Sequence, residues 1–139
     1  MLEFAGRFSD PKLLVKSFKH WSIVYKELPS TLGQCAFILN KETTTFSDVT
    51  EEQMKEFPNV CKWYETKVKK LYGAEKFNYC AIMMKEQFVH FNVYPRYSKP
   101  VVVCNREFID EGWPKKVIDT KIELDSKIQE KIINDLKEW

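Results

Sequence analysis

The stretch Phe88-Val89-His90-Phe91-Asn92-Val93-Tyr94-Pro95-Arg96-Tyr97 decides how this chain is read. It alternates in period two, so Phe88, His90 and Asn92 point to one side of a strand and Val89, Phe91 and Val93 to the other. The second set is an apolar face for a core. The first sets one of only two histidines beside a carboxamide, at a strand end closed by Pro-Arg-Tyr.

Outward from this strand, the chain punctuates itself clearly. Upstream, strand-like runs span Leu13 to Val15, His20 to Tyr25 and Gln34 to Leu39. Pro29-Ser30-Thr31-Leu32-Gly33 is a turn signal that makes the last two antiparallel neighbours. Thr50 with Gln53 fits a capping box, and Glu51 and Glu52 suit the positive end of a helix dipole. Pro58 would cost about 3 kcal/mol inside a continuous helix. The expectation is therefore a short helix ending near Glu56 and a longer one starting near Pro58. The longer one carries Val60, Cys61, Tyr64, Val68 and Leu71 as its apolar stripe and ends at Gly73. Its Lys67, Lys69 and Lys70 read as a solvated face, with Glu65 spaced to pair with Lys69.

Phe77 to Met84 is expected to be a strand, joined to Phe88–Tyr94 by a short turn at Lys85-Glu86-Gln87. Val101 to Cys104 reads as an edge strand, and Glu111-Gly112-Trp113-Pro114 as a break. Asp125 then caps a C-terminal helix with Ile128, Ile132 and Leu136 on one face. The sum is an α+β chain, an antiparallel sheet with helices segregated against it. Residues 1–112 form the main domain, and residues 113–139 a helical extension packed on it.

Composition limits the function classes. The 139 residues are 30% charged and 44% hydrophobic, ordinary for a soluble globular protein of one domain. Lysine and arginine total 22 against 20 acidic residues, a net charge of +2 that argues against nucleic acid or an anionic membrane as main partner. No apolar run approaches the roughly 20 residues needed to span a bilayer. Glu3, Arg7 and Asp10 interrupt any secretory signal, so a cytoplasmic protein is expected. Cys35, Cys61, Cys80 and Cys104 lack a Cys-x-x-Cys pairing and read as four reduced, buried thiols. His20 and His90 have no cysteine at ligand spacing, so no metal site is expected.

The decisive stretch, with the strand and helix order around it, resembles the histidine triad superfamily over about residues 8 to 112. That family's signature is His-x-His-x-His-x-x, often followed by Pro-Arg-Tyr. The register sets His90 on the middle histidine, the family's nucleophile, with Phe88 on the first and Asn92 on the third. Two of the three histidines are thus replaced. Pro95-Arg96-Tyr97-Ser98 with Glu111-Gly112-Trp113-Pro114 is similar to a bacterial subgroup labelled as diadenosine polyphosphate hydrolases.

The resemblance implies a five-stranded antiparallel sheet carrying a short and a long helix, paired into a homodimer through a shared sheet. It implies a nucleotide ligand and chemistry that needs no cofactor. It places Asn92, Asn78 and Gln87 near phosphate, and the hairpin Trp21 to Leu39 near the nucleoside. Trp21, Tyr25 and Phe37 would flank the base, and the ribose position falls near Lys26 or Glu27. The Gly-Gln-Ser/Thr loop that many members place before the signature is absent, leaving Gln87 as the nearby amide. Arg96 is either a phosphate contact or an ion-pair residue beyond the strand end. His20, beside Trp21, reads as structural.

The family's reaction requires a neutral imidazole that attacks the α-phosphorus in line and forms a covalent nucleotidyl-histidine. A backbone carbonyl on the other ring nitrogen fixes the tautomer. Flanking donors hold the phosphate oxygens and assist the leaving group. His90 supplies the nucleophile and Asn92 an amide donor, while Phe88 donates nothing. Losing one preorganised donor typically costs about 3 to 4 kcal/mol of transition-state stabilisation. Three readings stay open: a hydrolase or nucleotidyl transferase acting on phosphoanhydride or phosphoramidate bonds, a catalytically impaired nucleotide-binding sensor, and a dimeric interaction scaffold.

Overall fold

In the computed structural model, which describes residues 2–138, the strand of His90 lies inside a five-stranded antiparallel sheet. The strands are β1 Leu14–Ser17, β2 Trp21–Tyr25, β3 Cys35–Leu39, β4 Lys76–Cys80 and β5 His90–Arg96, in the spatial order β1-β2-β3-β5-β4. Register places Phe37 opposite both Ile23 and Phe91, and Ile38 opposite both Ser22 and His90. Side chains alternate across these pairs, so the sheet has a Phe37 face and a His90 face. The β2 and β3 residues are buried on both. The protein is an α+β chain with this sheet at its centre, as the alternation predicted.

The Phe37 face is covered by helix α1, Glu51–Tyr72. Thr50 and Gln53 form the expected capping box, with Gln53 N donating to Thr50 Oγ1 at 3.2 Å and Thr50 N to Gln53 Oε1 at 2.8 Å. Gly73, at φ 74°, ends the helix in the left-handed conformation that glycine adopts without a Cβ clash. Between these caps the helix is continuous, and Pro58 lies inside it. The expected division at Pro58 does not occur because the surrounding segment is fastened to the sheet. Glu56 Oε1 accepts from the backbone N–H groups of His20 and Trp21 at 2.8 and 3.1 Å, and Trp21 Nε1 donates to the Gln53 carbonyl at 2.8 Å. The Phe57 ring sits 4.8 Å from both Trp21 and Phe91. These tertiary contacts outweigh the local cost of proline. A 3₁₀ turn at Phe46–Asp48 forms the short element ahead of the long helix.

Val60, Tyr64 and Val68 of the predicted stripe are buried. Lys67, expected in solvent, is buried with its ammonium 5.8 Å from the Trp63 ring centre. Glu65 Oε2 accepts from the Tyr79 hydroxyl at 2.5 Å rather than pairing with Lys69.

Three expectations about strands change. β4 stops at Cys80, and residues 81–89 form a loop in place of the short turn. Val89 N–H is drawn to the Thr43 carbonyl at 2.7 Å, which holds the entry to β5 against the segment after β3 and away from β4. Val101–Val103 (β6) leaves the main sheet and pairs with Arg106–Phe108 (β7) in a separate hairpin. Cys104 and Asn105 form its two-residue turn, both at positive φ, the geometry of a type I′ hairpin.

Cys104 is consequently exposed, Cys61 and Cys80 are half-buried, and Cys35 is sealed in the core with burial pushing its thiol pKa up. All four are free thiols. Titration of the folded chain with a disulfide reagent is expected to label Cys104 first and Cys35 only on unfolding. Rapid labelling of Cys35 in the native state would contradict this packing.

Helix α2, Ser126–Lys137, begins with Asp125 Oδ1 accepting from Ile128 N at 2.9 Å. Its Ile128, Ile132, Ile133 and Leu136 are buried, and it packs on β1 and α1. The approach to it is fixed by Ile122 N–H on the Pro29 carbonyl at 2.8 Å and by Ser30 Oγ on Asp119 Oδ1 at 3.1 Å. No helix among the described residues is long and apolar enough to cross a membrane.

Candidate functional site

His90 opens β5 beside Ile38 and is almost fully buried, 4% exposed. Its Nδ1 lies 2.8 Å from the carbonyl oxygen of Phe88. A carbonyl only accepts, so Nδ1 carries the proton in this bond and the lone pair of the neutral ring falls on Nε2. No hydrogen bond engages Nε2 among the described residues. The backbone thus fixes the tautomer and leaves the other nitrogen available for attack, whatever side chain stands at position 88.

Asn92 follows on the same face, between Ala36 of β3 and Cys80 of β4. Its Oδ1 is buried and has no hydrogen-bond partner among the described residues. A buried acceptor left unpaired typically costs about 1 to 3 kcal/mol. His90 and Asn92 are therefore brought together as the alternation predicted.

Phe88 does not point into an open pocket. It is 7% exposed, and its ring centre lies 5.1 Å from the His90 ring, 5.6 Å from Phe4 and 6.2 Å from Phe8. Phe8 in turn stands 6.3 Å from the His90 ring. Both partners come from the N-terminal 3₁₀ segment Glu3–Ser9. The spacing of Leu2, Ala5 and Phe8 at every third residue is the one local sign of this segment, and it is too short a run to separate a 3₁₀ turn from a loop.

The remaining expected site residues divide. Lys26 is half-buried at the end of β2, its ammonium 5.8 Å from the Phe8 ring centre. Burial and repulsion from Arg7 lower its pKa. Trp21, Tyr25 and Phe37 lie on the opposite face of the sheet under α1, where Trp21 and Phe37 contact Phe57 and Phe37 contacts Tyr64. They are core residues. The cross-strand register puts them there, and a one-residue change of register would have reversed their side. Glu27 is exposed, 3.5 Å from Gln129 of α2, and Gln87 is exposed in the loop before β5.

Asn78 shares the His90 face but sits opposite Tyr94, four residues along β5 from His90. That is about 13 Å at the usual strand rise. Its Oδ1 accepts from Arg96 Nη1 at 2.7 Å. Arg96 is an ion-pair residue, though a buried one. Nε and Nη2 hold Asp110 at 2.6 and 3.1 Å, and Nη2 also donates to the Lys115 carbonyl at 2.7 Å. No group of three or more metal-ligating side chains is clustered among the described residues.

The fold of this chain recurs in solved structures. A hypothetical histidine triad nucleotide-binding protein from Sulfolobus tokodaii superposes with a TM-score of 0.68 at 15% identity, over 90% of this chain and 80% of that one. The chain has the histidine triad fold. A histidine triad protein from Bradyrhizobium japonicum gives the same TM-score at 12% identity, covering 89% of this chain and 87% of its own. Diadenosine triphosphate hydrolase of Plasmodium falciparum, in complex with cyclomarin A, matches at TM-score 0.59 and 15% identity over 64% of each chain. No protein-family model and no curated protein matches the sequence. In this fold His90 holds its Nδ1 on the Phe88 carbonyl, with the Phe4, Phe8 and Phe88 rings on one side and the Asn92 amide on the other.

Proposed function

We propose that this protein binds nucleotides and transfers or hydrolyses a nucleotidyl group through His90. The observation that carries this reading is the Phe88 carbonyl on His90 Nδ1, which leaves Nε2 as the free nucleophilic nitrogen. In the proposed reaction the Nε2 lone pair attacks the α-phosphorus of a dinucleoside polyphosphate or a nucleoside phosphoramidate. The P–O or P–N bond to the leaving group breaks, and the leaving group takes a proton from solvent. Water then attacks the phosphorus of nucleotidyl-His90, releasing a nucleoside monophosphate and restoring the imidazole. Asn92 holds a phosphate oxygen, and Lys26 supplies positive charge at the mouth of the site.

The test is to incubate the protein with diadenosine triphosphate or adenosine phosphoramidate, quench in alkali where a P–N bond survives, and map the adduct. A nucleotidyl group on His90 is expected. An adenosine monophosphate titration that shifts the His90 ring resonances without any adduct or turnover would favour the second reading, a binding or sensing module. That reading draws on Phe88, which stands where a donor to the leaving group is needed. No shift at millimolar nucleotide would overturn both.

The assembly proposed for this cytoplasmic function is a homodimer. β4 ends the sheet with no strand on its outer side among the described residues, and the loop after it exposes Ile82 and Met84, at 60% and 74%. A second copy pairing along β4 would satisfy that edge and bury those side chains. Sedimentation at micromolar concentration is expected to give twice the chain mass, and a monomer there would remove the dimer from the proposal.

A further inference from the structure

The N-terminal segment is packed where a ligand of His90 would have to sit. Leu2, Ala5 and Phe8 are buried, and Phe8 and Phe4 close on the Phe88–His90 pair with rings 5.6 to 6.3 Å apart. Gly6, at φ 58° and ψ −121°, breaks the segment into two short turns and so lets the chain fold back on this face. Arg7 lies across the Phe8 ring at 5.2 Å and pairs with Glu86 of the loop before β5 at 3.2 Å. That ion pair is partly in water, with side chains 49% and 23% exposed, which makes it a weak tie. The segment forms no strand in the sheet and donates no ladder hydrogen bond to β5.

We propose that residues 2–9 are a displaceable cover over His90, seated by Phe8 and latched by the Arg7–Glu86 pair. The covered form seats Phe8 against the Phe88–His90 pair, and the uncovered form opens that face beside Lys26. A phosphate anion reaching the face takes the space that Phe8 vacates and pairs with Lys26. The ligand therefore binds the uncovered form better than the covered one, the condition for it to shift the balance. The regulation rests on the nucleotide reading of His90, while the cover itself does not.

Carbethoxylation by diethyl pyrocarbonate, mapped by mass spectrometry in the full-length folded chain, reads the cover directly. His20, half-buried on the β1–β2 turn, is the internal reference. His90 is expected to react more slowly than His20 in the native chain. Phe8→Ala is expected to raise the His90 rate by about tenfold or more, since it shifts a local opening equilibrium. Arg7→Glu keeps the apolar contacts and is expected to raise it about threefold, by loss of the latch and repulsion from Glu86. Val68→Ala, a core loss on α1 beyond the other face of the sheet, is the control for general loosening and should leave the ratio of the two histidines unchanged.

An unchanged His90 rate in Arg7→Glu and in a folded Phe8→Ala overturns the cover. A rise of equal size in Val68→Ala overturns it as well, because the opening would then be global. If His90 becomes reactive as expected but millimolar adenosine monophosphate shifts no His90 resonance even in Phe8→Ala, the cover stands and the nucleotide reading falls.

Discussion

Asp110→Ala is expected to destabilise the protein by about 3 to 5 kcal/mol, the usual cost of removing one partner from a buried ion pair. Both side chains are sealed, Arg96 at 4% and Asp110 at 1% exposure. The carboxylate also accepts from Tyr97 N–H at 3.1 Å, so its loss leaves a buried guanidinium and a buried amide short of partners. A whole domain is usually stable by only about 5 to 15 kcal/mol, so this is a large share. Urea denaturation should show a lowered midpoint at unchanged slope. The pair Arg96→Met with Asp110→Leu should cost less than Asp110→Ala alone, because no charge is then stranded. A loss below about 1 kcal/mol for Asp110→Ala would mean that water reaches the guanidinium and that the pair does not fasten β5 to the segment after β7.

The same pair shows where sequence reading reached and where it stopped. Pro95-Arg96-Tyr97 was legible as a strand end, and Arg96 as either a phosphate contact or an ion-pair residue. Its partner lies fourteen positions on, and nothing local announces such a pairing. Period-two alternation did place His90 and Asn92 on one face, because side-chain direction in a strand is a local property. The Thr50–Gln53 box and the Asp125 cap were legible for the same reason, each being made within three residues.

What needed tertiary information was not legible. Pro58 argues locally against a helix, and only the Glu56 and Phe57 contacts show why the helix continues. Trp21, Tyr25 and Phe37 are aromatic residues in the expected strands, yet the side of the sheet they face depends on register with β5. Histidine at position 88 would place a polar ring between Phe4 and Phe8, with a cost in packing that the alternation did not reveal.

His90→Ala is expected to lower any turnover of dinucleoside polyphosphates or adenosine phosphoramidates by roughly a thousandfold or more, the scale on which removal of a nucleophile acts. The ground-state contacts proposed for Asn92 and Lys26 would remain, so nucleotide affinity should stay within a few-fold. That separation of rate from binding identifies a nucleophile, since a merely structural histidine would change both through the fold. Stability gives an independent check. The imidazole is buried and bonded to its own chain two residues away, so its removal loses a local hydrogen bond worth about 1 kcal/mol and some ring contact with Phe8 and Phe88. The variant should therefore remain folded, with only a modest fall in its urea midpoint. Turnover that survives in folded His90→Ala would assign the chemistry to another protein in the preparation, and would leave His90 as a packed histidine under the N-terminal segment. Loss of turnover with affinity retained would show that one imidazole, oriented by a backbone carbonyl, sustains nucleotidyl transfer without histidine at either flanking position.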